Sequence, residues 1–244
     1  MSDPVAIVTG GAGALGHVIA ESLLKRGWDV AVFDRVAATF EAPSHRFACI
    51  DVDVTDETAV LEAVNRTSDE LGEIRLLVNC AGSIMSEPLI NITNREHPRH
   101  ALALFKENLE INLTSVFLVS SIVAEKMVFR RTQGLIVNIS SVCAYGNRGQ
   151  SAYSAAKAGV EALTKVWGKE LGAFGIRVAA IAPGFIDTDS TARALSEQKL
   201  KEIQSRTPLR RLGRAEDVAK AVLAVLDNDF INGAIIPVDG GVTL

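Results

Sequence analysis

The chain has 244 residues, 48% of them hydrophobic, which is enough for one large buried core. Its formal net charge is −4 with the signs interspersed, which is not typical of a nucleic-acid-binding protein. No apolar run approaches the roughly 18 residues that cross a bilayer, and no signal-peptide core follows the N-terminus, so no membrane partner is expected. The three cysteines lack metal-ligand spacing, and we expect a cytoplasmic protein without a bound metal.

Short apolar runs alternate with longer helical patterns along the whole chain. In order, the runs are VAIVTG, DVAVFD, FACIDV, LLVNCAG, LIVNIS, IRVAAIAP and GAIIPVD. All but the last are followed by a segment with helical periodicity, which predicts right-handed βαβ units. We therefore predict an α/β fold with a doubly wound, Rossmann-like parallel sheet and helices on both faces. No linker or repeat interrupts it, so residues 1–244 are predicted to form a single domain.

A glycine-rich turn, TGGAGALG, lies between the first run and the first helical pattern, at residues 9–16. Backbone N–H groups at such a turn can approach a pyrophosphate at the start of a helix. The letters fit G-x-G-x-x-G through Gly11, Gly13 and Gly16. They also fit T-G-x-x-x-G-x-G, except that Ala14 replaces the middle glycine. In either phase the turn predicts a dinucleotide site.

An acidic residue ends the second predicted strand. Asp34 is placed where a carboxylate can accept hydrogen bonds from both hydroxyls of an adenosine ribose, and it would repel a 2′-phosphate. The neighbouring Arg35 could partly neutralise such a phosphate. Because Asp34 precedes it and the glycine turn contains no basic residue, the sequence favours NAD over NADP as the cofactor.

Further motifs resemble the short-chain dehydrogenase/reductase family over nearly the whole chain. In order, they are DVT at Asp53, NCAG at Asn79, NLTSVF at Asn112, NISS ending at Ser141, YSAAK at Tyr153, PGFIDT at Pro183 and INGAIIPVDGG near the end. The resemblance implies the T-G-x-x-x-G-x-G phase, in which Gly10 and Gly16 are the functional glycines. It also implies an oxidoreductase that acts on a small-molecule alcohol or ketone.

The resemblance also implies which residues contact the cofactor. Asp53 and Val54 are expected to flank the adenine, and Thr188 to reach the nicotinamide amide or the phosphates. Asn79 is expected on the adenosine side of the cleft, although it could equally tie adjacent strands together. The full expected set is Gly10, Gly13, Leu15, Gly16, Asp34, Asp53, Val54, Asn79, Ala81, Gly82, Tyr153, Lys157, Pro183, Gly184, Ile186 and Thr188.

Tyr153 and Lys157 have i, i+4 spacing at the start of a predicted helix, so they share one face. An isolated phenol, with a pKa of about 10, is a poor base at neutral pH. A neighbouring ammonium and a positively charged nicotinamide ring favour the phenolate, and lowering the pKa by about 3 requires about 4 kcal/mol. We expect Tyr153 to remove the hydroxyl proton as hydride leaves the carbon, or to donate it in reduction.

Two adjacent serines compete for the third catalytic position that the resemblance implies. The family's usual spacing before Tyr153 points to Ser140, whereas the motif NISS ends on Ser141. A one-residue shift within a strand would turn the side chain to the other face, whereas a loop absorbs a one-residue deletion. We therefore place the deletion within residues 142–152 and choose Ser141 to hold the substrate oxygen.

Asn112 lies in a predicted helix whose apolar stripe runs from Leu109 to Val123. An asparagine that faces the core needs hydrogen-bond partners. The resemblance implies one, a water that relays protons from Lys157 to solvent, and makes Asn112 the fourth catalytic residue. The four histidines match no catalytic position and are interpreted as surface or loop residues.

The sequence leaves the substrate open. Residues 82–112 form a longer segment than is usual in the family, and the tail resembles that of the type 2 3-hydroxyacyl-CoA dehydrogenases. A 3-hydroxyacyl-CoA is the first expectation, and a sugar alcohol, a hydroxysteroid or a 3-oxoacyl thioester is the alternative. A catalytically idle, NAD-sensing scaffold is less favoured, because Tyr153 and Lys157 are both present.

The helix that begins near Tyr153 carries two apolar stripes. Val160, Leu163, Trp167 and Leu171 form the stripe expected to pack on the sheet, and Ala155, Gly159, Ala162 and Val166 form a second, smaller one. The second stripe either lies under residues 83–100 or faces another subunit. Family members pair this helix, the Asn112 helix and the C-terminal strands across two-fold axes, so the resemblance implies a homotetramer.

Overall fold

The computed structural model describes residues 3–38, 46–188, 191 and 196–242, and within them seven strands form one parallel sheet. The order across the sheet is β3-β2-β1-β4-β5-β6-β7. All seven predicted strands are confirmed. They are β1 (Val5–Thr9), β2 (Asp29–Asp34), β3 (Phe47–Asp51), β4 (Ile74–Asn79), β5 (Gly134–Ile139), β6 (Ile176–Pro183) and β7 (Ala234–Val238).

The helices alternate with the strands. They are α1 (Ala14–Lys25), α2 (Glu57–Glu70), α3 (Leu102–Leu109), α4 (Ser115–Arg130), α5 (Ser151–Leu171), α6 (Glu197–Arg206) and α7 (Ala215–Asp227). A π-helical turn, Glu110–Thr114, joins α3 to α4, and a short 3₁₀ turn, Val142–Tyr145, precedes α5. The helical pattern expected between β2 and β3 falls largely on residues 39–45, outside the described residues.

Helices cover both faces of the sheet, as predicted for the doubly wound fold. Side chains of α2, α4 and α5 pack on one face, with Val64 and Val123 fully buried there. Side chains of α1 and α7 pack on the other, around Leu23 and Val222. Every residue of β1 is buried. A strand covered on both faces must be apolar throughout, which is why the sequence showed continuous apolar runs rather than alternation.

The sheet order changes direction between β1 and β4, and this creates the crevice in which such folds bind ligands. From β1 the chain runs outward to β2 and β3, and then returns to β4 on the other side of β1. The loops that follow β1 and β4 therefore diverge above the carboxyl ends of the strands, leaving a cleft between them.

The run from Leu102 to Arg130 is one continuous helical segment of 29 residues, long and apolar enough by length and composition to cross a bilayer. A search for uninterrupted apolar runs does not find this segment, because polar residues interrupt it. Val119, Val123 and Met127 of this segment are buried in the core beneath the sheet. Core packing therefore accounts for its apolar character.

The side of α5 that faces the sheet agrees with the predicted stripe at three of its four positions. Val160 is fully buried, and Trp167 and Leu171 pack against the core, whereas Leu163 is only half-buried and lines an outer groove. The same side also buries Ala156, Thr164 and Gly168, whose small size allows the helix to approach the sheet closely.

Candidate active site

One cleft at the carboxyl edge of the sheet brings together nearly all of the predicted site residues. Its volume is about 660 Å³. Of the predicted set, its lining contains Gly10, Gly13, Leu15, Gly16, Asp34, Asp53, Val54, Ala81, Gly82, Asn112, Ser141, Tyr153, Lys157, Pro183, Gly184, Ile186 and Thr188. The one predicted residue outside the lining is Asn79.

The geometry of the turn after β1 depends on glycine at three positions. Gly10 has φ +67°, and a Cβ added to it would lie 2.7 Å from the Cα of Ala81. A Cβ added to Gly16 would lie 2.3 Å from the Gly10 carbonyl oxygen, and one added to Gly11 would lie 2.5 Å from the buried Val32 side chain. Gly10 belongs to the T-G-x-x-x-G-x-G phase and Gly11 to the G-x-G-x-x-G phase, whereas Gly16 belongs to both.

The start of α1 is free to bind an anion. Gly13 is its N-cap, and no side chain caps the first N–H groups of the helix. Those donors, with the positive end of the helix dipole, lie in the cleft lining and fit a pyrophosphate. Ala14, which departs from the glycine pattern, is exposed at the cleft.

Asp34 is held at the end of β2 by backbone donors. Its Oδ2 accepts from Ala12 N at 3.0 Å and its Oδ1 from Val36 N at 3.1 Å. Arg35 is turned away from it, with Nη1 3.6 Å from Oδ2 of Asp53. Hydrogen bonds from the hydroxyl and backbone of Thr55 lower the pKa of Asp53. At this end of the cleft, the Asp34 carboxylate accepts from backbone N–H groups and the Asp53 carboxylate lies near the Arg35 guanidinium.

Tyr153 and Lys157 are both buried on the first turns of α5, 7% and 4% exposed. Lys157 Nζ donates to the Ile139 carbonyl oxygen at 2.8 Å and lies 5.7 Å from the centroid of the Tyr153 ring. Burial lowers the pKa of Lys157 to about 8. Burial also raises the pKa of Tyr153, against a hydrogen bond with Ser141 that lowers it.

This direction differs from the lowered Tyr153 pKa expected from the sequence. In the protein by itself, loss of hydration disfavours the phenolate more than its neighbours favour it. The expected lowering therefore requires a further positive charge in the cleft. A buried Lys157 alone does not supply enough stabilisation.

The two serines have different partners. Ser141 begins the 3₁₀ turn, where its Oγ accepts from Cys143 N at 3.1 Å, and its hydroxyl interacts with the Tyr153 phenol. Ser140 instead donates to Oε1 of Glu161 on α5 at 2.9 Å. Both line the cleft, but the hydroxyl beside Tyr153 belongs to Ser141.

Asn112 lies in the π-helical turn rather than in the regular α-helix that was predicted. Its Oδ1 accepts from Ser83 N at 3.2 Å, and its Nδ2 donates to Ser83 O at 2.9 Å and to Oδ1 of Asn108 at 3.0 Å. A π turn widens the helix locally and is often found at functional sites. Asn108, fully buried one turn earlier, was missed, and its i, i+4 spacing from Asn112 was the available signal.

Asn79 ties strands together, the alternative that the sequence left open. Its Nδ2 donates to Oδ1 of Asn138 on β5 and to Oγ of Ser120 on α4, both at 2.8 Å. It is 3% exposed, because the last residue of β4 points toward α4 instead of into the cleft. Thr9 was also missed as a site residue: its Oγ1 accepts from the backbone of Cys80 and Ala81, each at 3.0 Å.

The long segment after β4 begins at the cleft, where its first residues, Ser83 and Ile84, belong to the lining. Residues 83–100 then fold back on themselves through a bridge between Ile90 and Arg99, and Glu87 forms a second bridge with Gln150. Gln150 lies directly before the helix that carries Tyr153 and also lines the cleft. The segment therefore lies beside the start of that helix.

His100 lies in a loop, one of the two expected places, but its side chain is largely buried instead of exposed at the surface. Its side chain is 7% exposed, its Nδ1 lies 2.9 Å from Glu87 O, and Phe105 packs edge-on against the ring. The fold-back of residues 83–100 buries it, which no local pattern indicated. His17 and His97 are not in the cleft lining, and His45 lies outside the described residues.

The comparison with known families agrees with this geometry. A model of short-chain dehydrogenases/reductases, described as enoyl-(acyl carrier protein) reductase, matches residues 10–243. The chain belongs to the short-chain dehydrogenase/reductase family. It is therefore an oxidoreductase of secondary alcohols or ketones that uses a nicotinamide cofactor.

Relatives within the family differ in substrate. The chain is 38% identical to a cis-4-hydroxycyclohexanecarboxylate dehydrogenase of Sinomonas cyclohexanicum, over 99% of this chain and 97% of that one. It is 33% identical to the human 3-hydroxyacyl-CoA dehydrogenase type-2, over 98% and 95%. A crystal structure of a putative gluconate dehydrogenase from Agrobacterium tumefaciens superposes with TM-score 0.86 at 28% identity, covering 98% of this chain and 96% of that one.

Proposed function

We propose that this protein is a single-domain, NAD-dependent dehydrogenase whose substrate is a 3-hydroxyacyl thioester of coenzyme A. The observation that carries the proposal is the meeting of Ser141, Tyr153 and Lys157 with the glycine turn and Asp34 in one cleft. A phenol, an ammonium, a hydroxyl and a dinucleotide cradle are the groups that hydride transfer to or from a secondary alcohol requires.

Two parts of the cleft suit a dinucleotide: the glycine turn with the start of α1, and the end of β2 at Asp34. Glycine at position 16 lets the turn close onto the Gly10 carbonyl oxygen, where a Cβ would lie at 2.3 Å, and the uncapped start of α1 supplies donors for a pyrophosphate. Asp34 favours a ribose with free hydroxyls, and the exposed Arg35, 3.6 Å from a carboxylate oxygen of Asp53, has its charge partly offset by that pair. Both features support NAD as the cofactor.

The bound nicotinamide supplies the hydride acceptor in oxidation and the donor in reduction. The Ser141 hydroxyl holds the substrate oxygen by a hydrogen bond. Tyr153 takes the proton of the alcohol as the carbonyl forms, or returns it in reduction. Lys157, fixed by the Ile139 carbonyl, favours the phenolate through its charge. Asn112 lies in the neighbouring π turn, where it would hold the water of the family's proton relay from Lys157 to solvent.

The substrate end of the cleft favours an uncharged group beside the reacting carbon. Ile84, Val142, Cys143 and Phe185 line it, and Lys157 is the one cation in the described part of that end. Among the described residues at that end, a carboxylate close to the alcohol would have no counterion besides Lys157. A thioester carbonyl is neutral and needs none.

The decisive assay is an NAD-coupled dehydrogenase screen across acyl-CoA, steroid, polyol and hydroxy-acid substrates. We expect turnover of 3-hydroxyacyl-CoA and its loss in Tyr153→Phe, with NADH binding retained. Turnover of a polyol or hydroxysteroid in preference would replace the substrate assignment. NADH binding without turnover of any substrate, in wild type and variant alike, would instead favour a cofactor-sensing scaffold.

We further propose a cytoplasmic homotetramer. An apolar groove of about 450 Å³ runs along α5 beside the π turn, and Ala162 and Val166 at its edge are exposed. Residues 83–100 do not line it. The groove coincides with the second, small-residue stripe of α5, the helix that family members pair between subunits.

A further inference from the structure

A buried carboxylate lies directly behind the proposed catalytic residues. Glu161 is on α5, one turn beyond Lys157, and is 8% exposed. Its Oε1 accepts the hydrogen bond from the Ser140 hydroxyl at 2.9 Å. Burying a carboxylate against a neutral partner is costly. An apolar side chain would pack at this place with less penalty. The presence of an acid therefore points to a role for its hydrogen bond with Ser140.

Ser140 separates the two positions on which the site depends. Before it, the Ile139 carbonyl accepts the bond from Lys157 Nζ at 2.8 Å. After it, Ser141 interacts with Tyr153. The Ser140 N–H donates to Ile181 O at 2.7 Å, so its backbone belongs to the sheet while its side chain bonds α5. The contact with Glu161 thus joins the end of β5 to the helix of Tyr153 and Lys157.

We propose that Glu161, acting through Ser140, is a positioning residue that aligns α5 with the end of β5 and so places Ser141 and Lys157 relative to Tyr153. The inference rests on the proposed function, because it concerns the same three catalytic groups. Glu161 does not line the cleft, so it is not expected to touch substrate or cofactor.

The proposal predicts which kinetic constant depends on the contact. Proton transfer and hydride transfer are sensitive to small displacements of the reacting groups, and losing the Glu161 contact lets residues 139–141 shift against α5. Most of the expected cofactor contacts, among them the glycine turn and Asp34, lie outside residues 139–141 and α5, although Tyr153 and Lys157 belong to the expected set. The rate constant should therefore fall while cofactor affinity stays.

The test compares Glu161→Ala, Glu161→Gln, Ser140→Ala and the Ser140→Ala/Glu161→Ala double variant. We expect each alanine variant to lower kcat about tenfold, with KM for NAD and Kd for NADH within about twofold of wild type. The double variant should be no worse than either single one. Glu161→Gln keeps an acceptor oxygen and should restore most of the rate. The matched control is Glu170→Ala, at an exposed position of the same helix, which should leave kcat unchanged.

Independent losses that multiply to about a hundredfold in the double variant would overturn the proposal. So would a Glu161→Gln variant as impaired as Glu161→Ala, or an NADH affinity that falls with kcat. If Glu161→Ala does not fold, Ser140→Ala and Glu161→Gln still give the comparison.

Amide hydrogen exchange at residues 139–145 separates this inference from the proposed function, because it needs no substrate. Ser140→Ala should increase exchange there and Glu161→Gln should not, and unchanged exchange in Ser140→Ala would contradict the proposal. A wild-type protein that turns over nothing would refute the function while leaving this readout intact.

Discussion

The protonation of Tyr153 depends on a competition between burial and charge. Burial raises the pKa of the phenol and lowers that of Lys157 to about 8, so Tyr153 resists ionisation while Lys157 stays mostly protonated at neutral pH. A positively charged nicotinamide bound beside Tyr153 would favour its phenolate. The phenolate is therefore expected when the oxidised cofactor is bound.

At the same scale, the two serines give a sharp prediction. Ser141→Ala removes the hydroxyl that is placed beside Tyr153 and should lower kcat by about 10²- to 10³-fold, as for loss of an oxyanion donor. Ser140→Ala should cost only about tenfold, since its hydroxyl bonds Glu161. Steady-state kinetics of both variants decides between them. A more damaged Ser140 variant would show that the loop deletion was placed wrongly.

Asp34 should determine the choice of cofactor. We expect kcat/KM with NAD to exceed that with NADP by at least about tenfold, or about 1.4 kcal/mol, because the carboxylate repels a 2′-phosphate. Asp34→Ala should remove most of this preference. Asp51→Ala is the control, since Asp51 pairs with Asp34 across the strands but is not in the cleft lining. Equal efficiency of wild type with both cofactors would mean that Arg35 outweighs Asp34.

At the scale of elements, the glycine turn and the π turn meet across the cleft through the segment that follows β4. A Cβ on Gly10 would strike Ala81, and one on Gly82 would lie 2.7 Å from Oδ1 of Asn112. The segment therefore fits only because Gly10 lies against its Ala81 and its own Gly82 lies against Asn112. Thr9 and Asn112 each fix its backbone by hydrogen bonds.

Gly16→Ala tests the turn as an element. The added Cβ would be 2.3 Å from Gly10 O, so the turn must open and displace the donors that hold the pyrophosphate. We expect Kd for NADH, measured by fluorescence titration, to rise at least about tenfold. Gly172→Ala makes the same change where the nearest atom is a side chain 3.5 Å away, and its affinity should match wild type. Unaltered binding by Gly16→Ala would place the pyrophosphate elsewhere.

At the scale of the whole molecule, the groove on α5 is an apolar surface that the described part of the chain leaves uncovered. It is lined by Leu113, Thr114, Phe117, Gly159, Ala162, Leu163 and Val166. A Cβ on Gly159 would be 3.0 Å from the Leu113 side chain, so a small residue there lets α5 lie close to the π turn. A two-fold axis would bring the same surface of a second copy against it.

Sedimentation at micromolar concentration should therefore show a species of four times the 26.0 kDa chain mass. Ala162→Arg places a charge in the groove and should reduce the assembly to dimers or monomers, because a buried unpaired charge costs more than the contact contributes. Thr58→Arg, at an exposed position on α2, should leave the tetramer intact. A monodisperse monomer in wild type would refute the assembly, and an Ala162→Arg tetramer would move the interface elsewhere.

The sequence by itself determined the strands, the doubly wound fold and most of the cleft. Continuous apolar runs and the glycine turn are local signals, and the i, i+4 spacing of Tyr153 and Lys157 predicts a shared helix face that burial in one cleft confirms. The family motifs then assigned further lining residues in order along the chain, but not others such as Ile84, Val142 and Cys143.

Only the tertiary structure decided what depends on contacts between distant segments. It placed Asn79 against Asn138 instead of in the cleft, buried His100 under a folded-back loop, and gave the two serines different partners. It also put small residues on the buried face of α5 and a π turn at Asn112. Each of these features depends on contacts between residues that are far apart in the sequence. Neither periodicity nor a local motif carries information about such contacts.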